Sequence, residues 1–167
     1  MFYKVNKISD SDDKYLNLLL SNLLFLREEY PDFLKWFKAK VEPGIYNRTR
    51  KIYTVNTLYD SYTVRGILIL KDNCFEKKIC TLFVDKSSRL NGIGKLLMNI
   101  ALEELETQTP LITVSDDKLN EFDKLLKKYR FLLFSKKDGL YRENHTEYSF
   151  NGELNNKNSE ILNNFYA

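Results

Sequence analysis

Cysteine is scarce: Cys74 and Cys80 are the only two among 167 residues, and they stand six positions apart. Such a pair makes neither a disulfide framework nor a zinc site, and it reads as two reduced thiols of a cytoplasmic protein. An excess of one charge is also lacking, since 26 basic and 23 acidic residues leave a formal net charge of +3. That balance gives no argument for a nucleic-acid binder, whose footprint is a basic face, although a local basic patch around an anionic ligand stays open. Long hydrophobic runs are missing too. The longest apolar stretch, Leu16 to Leu26, is broken by Asn17, Ser21 and Asn22, so it reads as no membrane span. Met1 to Asn6 contain no apolar signal core. A cytoplasmic protein without a membrane partner is the expectation. Histidine occurs once, as His145, in a polar stretch that predicts exposure, with a base role as the alternative.

What is present is a folding composition. Hydrophobic residues make up 43% of the chain, and 11 Tyr with 11 Phe supply the aromatic mass that disordered chains lack. The length suits one domain, set at residues 1–151, with a loosely held polar tail over 152–167.

Periodicity predicts a short strand over 2–7. Asp10 to Asp13 then supply helix-start chemistry for a helix from about Ser11 to about Arg27, carrying Leu16, Leu19, Leu20, Leu23 and Leu24 at helical spacing. Pro31-Asp32 opens a second helix with Trp36 and Phe37, and Pro43-Gly44 is expected to end it. Strands are predicted over 51–57, 62–71 and 77–84. In the last, Ile79-Cys80-Thr81-Leu82-Phe83-Val84 is nearly unbroken apolar sequence, as suits a central strand. Ile93, Leu96, Leu97, Ile100, Ala101 and Leu105 then fall on one helical stripe. Leu111 to Val114 form another buried strand. Ser115-Asp116-Asp117 is read as the cap of a further helix, and 131–135 and 146–150 as a closing pair of strands. This order predicts an α/β fold: one mixed, mostly antiparallel twisted sheet flanked by helices.

Chemistry concentrates where the strand ending at Val84 hands over to the helix beginning near Gly92, through Arg89-Leu90-Asn91-Gly92-Ile93-Gly94-Lys95. Glycine lets a ligand approach the backbone without a Cβ in the way. The unpaired N–H groups of a first helical turn, with the helix dipole, form an anion site. Arg89 and Lys95 add positive charge. A plain tight turn is the alternative for an isolated G-x-G, but here a buried strand precedes it and an amphipathic helix follows. A dinucleotide fingerprint does not fit, because its third glycine would fall at Leu97.

The run Ile79 to Leu97 resembles the acetyl-CoA-binding motif of the GNAT superfamily of N-acetyltransferases, whose loop reads R/Q-x-x-G-x-G/A. Val114-Ser115 to Phe131, closing on Tyr129-Arg130-Phe131, resembles the family's next motif, and the order of elements is similar over about 2–150. The resemblance implies acyl-CoA-dependent N-acetyl transfer with acetyl-CoA as co-substrate and no metal. It implies that the backbone of Asn91 to Lys95 cradles a pyrophosphate, that Arg89 sets the loop, and that Leu82, Phe83 and Val84 pair with the pantetheine arm. The cofactor set is thus Leu82, Phe83, Val84, Arg89, Leu90, Asn91, Gly92, Ile93, Gly94 and Lys95. Homodimers are frequent in that family.

The sequence also departs from the family. Leu126 stands where many members place a Tyr acid, and Lys78 where some place a glutamate base. Arg130 and Leu90 replace glycine or small residues. The remaining catalytic candidates are Glu76, otherwise a solvated charge; Ser115, otherwise a helix cap; and Tyr129, otherwise a core residue. Cys80 suits inert packing, with an acyl carrier as the alternative, and Trp36-Phe37 suit the core or an acceptor pocket. The expected acceptor is an amine on a small molecule, a protein or a charged tRNA. The competing reading is an acyl-CoA-binding regulatory domain without turnover.

Overall fold

The computed structural model describes residues 3–8 and 13–153. The helix-start residues Asp10 to Asp12 and the tail from 154 onward lie outside the described residues.

One seven-stranded sheet organises the chain, in the order β1-β2-β3-β4-β5-β7-β6. Its strands are β1 (Tyr3–Ile8), β2 (Arg50–Thr57), β3 (Asp60–Asp72), β4 (Lys77–Val84), β5 (Leu111–Ser115), β6 (Leu133–Asp138) and β7 (Thr146–Phe150). Every neighbouring pair is antiparallel except β4 with β5. The mixed, mostly antiparallel sheet predicted from the sequence is the one observed.

Both faces are covered, and β3 shows why. Its side chains alternate across the sheet. Leu68 and Leu70 join a core made with α5 (Ile93–Glu104) and α6 (Leu119–Lys128), which contribute Ile93, Leu97, Met98, Ala101 and Leu126. Ile67 and Ile69 join a second core on the opposite face with Leu16, Leu19 and Leu23 of α1 (Asp13–Leu23) and Phe33, Phe37, Val41 and Ile45 beyond it. Phe37 is therefore core, with Trp36 packed against it.

The helical segments before β2 differ from the sequence expectation. α1 stops at Leu23 and a turn separates it from α2 (Leu26–Glu29). The next helix does not end at Pro43-Gly44. It runs from α3 (Phe33–Trp36) through a π-helical turn (Phe37–Val41) into α4 (Glu42–Tyr46), with Pro43 and Gly44 inside α4. Pro43 sits in the first turn of that last segment, where its missing N–H costs little.

The strand expected over 131–135 starts two residues later. Arg130 (φ +57°) takes the left-handed conformation after α6, and the Phe131 amide donates to Leu126 O at 3.0 Å. This helix stop turns Phe131 into the core instead of into β6.

Candidate functional site

Two irregularities in β4 open the sheet beside the loop. Ile69 pairs with Thr81 but Leu70 pairs with Ile79, so Cys80 is the extra residue of a bulge. A bulge bends and twists its strand. β5 pairs with β4 only at Lys78↔Leu111 and Ile79↔Ile112, and then continues against β7 alone. Thr81 to Val84 thus keep β3 on one side, while the other edge from Cys80 to Val84 has no strand partner among the described residues.

The loop after β4 is held from below and open above. The Asp85 amide donates to Arg65 O at 2.9 Å. The Asp85 carboxylate accepts from Ser87 and pairs with Arg65 at 3.2 Å; the Ser87 hydroxyl, then Arg65, hold its carboxyl below the usual range. Ser88 is buried, and Ile93 is seated in the core. Gly66 of β3 makes that seat possible: a Cβ there would stand 2.7 Å from Ile93 Cγ2. Between these anchors, Leu90 (φ +64°) is fully exposed and Gly92 (φ +84°) is the left-handed residue that starts α5. A Cβ at Gly92 would meet nothing within 4 Å. Among the described residues, no acceptor takes the amides of Leu90, Asn91, Gly92, Ile93, Gly94 or Lys95; the ladder begins with Leu96 N to Gly92 O at 2.9 Å.

Arg89 is not a free charge. Its Nε donates to Val84 O at 3.3 Å and its Nη1 pairs with Glu121 of α6 at 3.1 Å. It ties the end of β4 to α6, so the positive character of the loop comes from the amides more than from this side chain.

On the face of the sheet that carries α1 to α4, a polar group gathers where β5 ends. Ser115 and Glu147 are cross-strand partners, so their side chains share a face. Ser115 Oγ donates to Asp117 Oδ1 at 2.5 Å, and Arg142 Nη2 donates to the same oxygen at 2.7 Å. Burial alone would raise the Asp117 carboxyl, but the Arg142 and Ser115 bonds bring it down to about 2. His145 Nδ1 lies 2.7 Å from Asp116 Oδ1. Tyr141 and Arg142 reach Tyr30, with ring centres 6.2 Å apart and the guanidinium 5.3 Å from the Tyr30 centroid. Lys78 is buried; burial pulls its ammonium down, yet Tyr141 and other neighbouring groups leave it raised. Phe25, in the turn between α1 and α2, packs on Phe83 at 5.0 Å. A depression of about 450 Å³ lined by Leu24, Arg27, Glu28 and Pro31 lies along that same connection.

The catalytic candidates are scattered. Glu76 precedes β4, at the end of the strand away from the loop. It is no solvated charge: its carboxylate pairs with Lys71 at 2.7 Å and its side chain is only 9% exposed. Tyr129 directs its hydroxyl to Asn99 Oδ1 at 2.5 Å and Lys95 O at 3.2 Å, clamping α6 to α5. Ser115 stands at the end of β5 as expected, but its hydroxyl is spent on Asp117 and makes no capping bond to the backbone. Glu147, Arg142 and Tyr141 escaped the sequence reading. β7 buries Glu147 and Ser149 and leaves Thr146, Tyr148 and Phe150 half-buried, the reverse of what polarity suggests.

This architecture has many counterparts. The description "Acetyltransferase (GNAT) domain" matches residues 33–126, more than half of the chain. An N-acetyltransferase from Staphylococcus aureus Mu50 superposes with a TM-score of 0.65 at 15% identity, over 90% of this chain and 97% of that one. An aminoglycoside 6'-N-acetyltransferase complexed with coenzyme A gives 0.63 at 14% identity, covering 88% and 94%. Arabidopsis thaliana NAA60 in complex with a bisubstrate analogue gives 0.61 at 15% identity, covering 89% and 96%. No curated protein matches the sequence. The chain belongs to the GNAT acetyltransferase family. It is an acyl-CoA-dependent N-acetyltransferase, and acetyl-CoA is its co-substrate. The residues present fit that ligand, since a row of unpartnered amides and the open space over Gly92 lie beside an unpaired strand edge. No helix among the described residues is long and apolar enough to cross a membrane.

Proposed function

We propose that this protein moves the acetyl group of acetyl-CoA directly to an amine acceptor that approaches from the face carrying α1 to α4, between the Leu24–Pro31 connection and the 139–145 loop. The observation that carries the reading is the row of amides from Leu90 to Lys95 without acceptors among the described residues, beside the unpaired edge of β4. Those amides would hold the pyrophosphate, worth several charge-assisted hydrogen bonds at a helix start. The backbone of Leu82, Phe83 and Val84 would bind the pantetheine amides as an added strand. Leu90 does not obstruct, because its side chain projects into solvent.

Bound acetyl-CoA supplies an acyl group already activated as a thioester. The chain's own task is to orient the carbonyl, exclude water and move a proton. A backbone N–H of the β4 segment near Val84 would stabilise the developing oxyanion, a device worth about 3 kcal/mol where it has been removed elsewhere. The cytoplasm is the compartment we assign, in keeping with two free thiols, Cys74 and Cys80.

Calorimetry with acetyl-CoA tests the pocket. Wild type is expected to bind, and Gly94→Glu to weaken binding by about 100-fold, or roughly 3 kcal/mol. Free-thiol release with spermidine, glycylglycine and kanamycin then tests turnover. Binding without thiol release on any amine class would favour the regulatory reading; absence of binding would remove the site reading altogether.

A further inference from the structure

We propose that Glu147 is the general base that takes the proton from the acceptor amine, its carboxylate being buried on β7 across from the last residue of β5, with an oxygen that no donor among the described residues meets. The inference rests on the site reading above and adds to it the proton acceptor, which the family-motif positions Lys78 and Leu126 do not provide.

The geometry is unusual for a carboxylate. Glu147 is only 2% exposed, and its Oε1 is buried without a hydrogen-bond partner among the described residues. Buried carboxylates are otherwise paired or hydrogen-bonded, because an unmet charge in an apolar setting is costly. Among the described residues the charged neighbours make their bonds elsewhere, and Arg142 keeps a buried Nε without an acceptor. Arg142, from the β6–β7 connection, gives two bonds to Asp117. Lys78 of β4 lies near Tyr141, whose influence helps to raise its ammonium. Asp116, after β5, is taken by His145. No cation among the described residues comes within 4.0 Å of Glu147. A group that can enter and donate to this oxygen is a protonated amine.

Position agrees. Glu147 faces across to Ser115, the last residue of β5, on the side of the sheet from which the acceptor is proposed to come. Burial pushes its carboxyl up to about 7, against the pull of Arg142 and Lys78 and with the help of Asp117 and Asp116. A base with that midpoint is poised for proton transfer near neutral pH.

The acceptor arrives as R–NH3+. Glu147 takes one proton, leaving R–NH2 and a neutral carboxylic acid. The nitrogen lone pair attacks the thioester carbonyl carbon, forming C–N. Collapse breaks C–S, the sulfur keeps the bonding pair, and the second nitrogen proton ends on sulfur. The products are R–NH–acetyl and the free thiol, and Glu147 returns its proton to water.

The test begins with [δ-13C]glutamate-labelled protein, the Glu147 resonance being assigned by its loss in E147Q. The carboxyl is expected to titrate near neutrality, and its midpoint to fall when methylammonium chloride is added as a minimal amine. An ordinary carboxylate midpoint, or one that methylammonium leaves in place, overturns the proposal. Where spermidine, glycylglycine or kanamycin is turned over, E147Q is expected to lose about 100-fold or more in kcat/KM. It should also lose the acid limb of the pH profile while binding acetyl-CoA as wild type does, and E147D should recover part of the rate. A rate and limb retained in E147Q overturn the assignment; loss of acetyl-CoA binding in wild type would instead fault the underlying site. If E147Q fails to fold, the limb in wild type decides, with the resonance assigned through E147D. A limb that tracks the pKa of the amine used, and not a fixed value near 7, overturns the proposal.

Discussion

The two ends of α5 are treated in opposite ways. At its C-terminus the last carbonyls are filled from within the protein: Lys51 donates to Glu104 O at 2.6 Å and Lys77 to Leu105 O at 2.5 Å. Lys51 also pairs with Asp72, and Glu104 with Lys7, so that end is tied to β1, β2 and β3. These cations sit where the helix dipole favours them. At the N-terminus the fold spends nothing comparable. No side chain caps Gly92, and no acceptor among the described residues reaches the amides around it. One helix therefore has a closed structural end and an open end suited to an anion. A shortage of polar side chains does not explain the contrast, because Asp85 and Ser87 lie in the same loop and bond to each other and to Arg65.

Substitutions at the two ends should separate binding from stability. Gly94→Glu carries the largest expected effect, about a 100-fold loss of acetyl-CoA affinity by calorimetry. Its thermal midpoint should stay near wild type, since a Cβ at Gly94 meets only ordinary contacts at 3.9 Å from Leu125 and Val84. Arg89→Ala unties the loop from Val84 O and should weaken binding by roughly 10-fold. Glu121→Ala, which removes only the half-exposed ion pair, should change it less than about twofold. Lys77→Met, at the closed end, should reverse the pattern: roughly 1 kcal/mol lost in urea unfolding, with affinity unchanged. Arg130→Gly lies at neither end. It relieves a left-handed non-glycine and should gain about 1 kcal/mol, a rise of about 2–4 °C in Tm, with binding untouched. A pH series offers a further check on Glu147. Its folded carboxyl is raised above the unfolded value, so its contribution to stability is full below about pH 4.5 and is lost as pH rises through about 7. E147Q should therefore lose less stability than wild type between pH 5 and pH 8 in thermal melts.

The sequence made the loop and the sheet legible for a local reason. An unbroken apolar strand, a G-x-G turn and a 3.6-residue stripe are patterns within a few residues of each other, and β4, α5 and β5 formed where those patterns ran. Long-range features were not legible. Arg89 was legible as a residue that sets the loop, but not its partner Glu121, which comes from the next helix. Glu76 looked solvated because Lys71, across the hairpin, is not a sequence neighbour in the strand. Pro43-Gly44 looked like a helix end because nothing in the local sequence announces the π-helical turn that precedes it. Glu147 was hidden for the most physical reason: alternation assigns a polar residue to the wet face, and only the packing of the 139–145 loop and Tyr30 makes that face the dry one.

The most direct test compares acetyl-CoA with S-acetylpantetheine, which keeps the thioester and the arm but lacks the pyrophosphate, by calorimetry on wild type and Gly94→Glu. If the amides at the open end of α5 hold the diphosphate, wild type prefers acetyl-CoA by at least about 100-fold and the variant loses most of that preference. Equal affinity of wild type for the two ligands, or a preference that survives intact in Gly94→Glu, would contradict it.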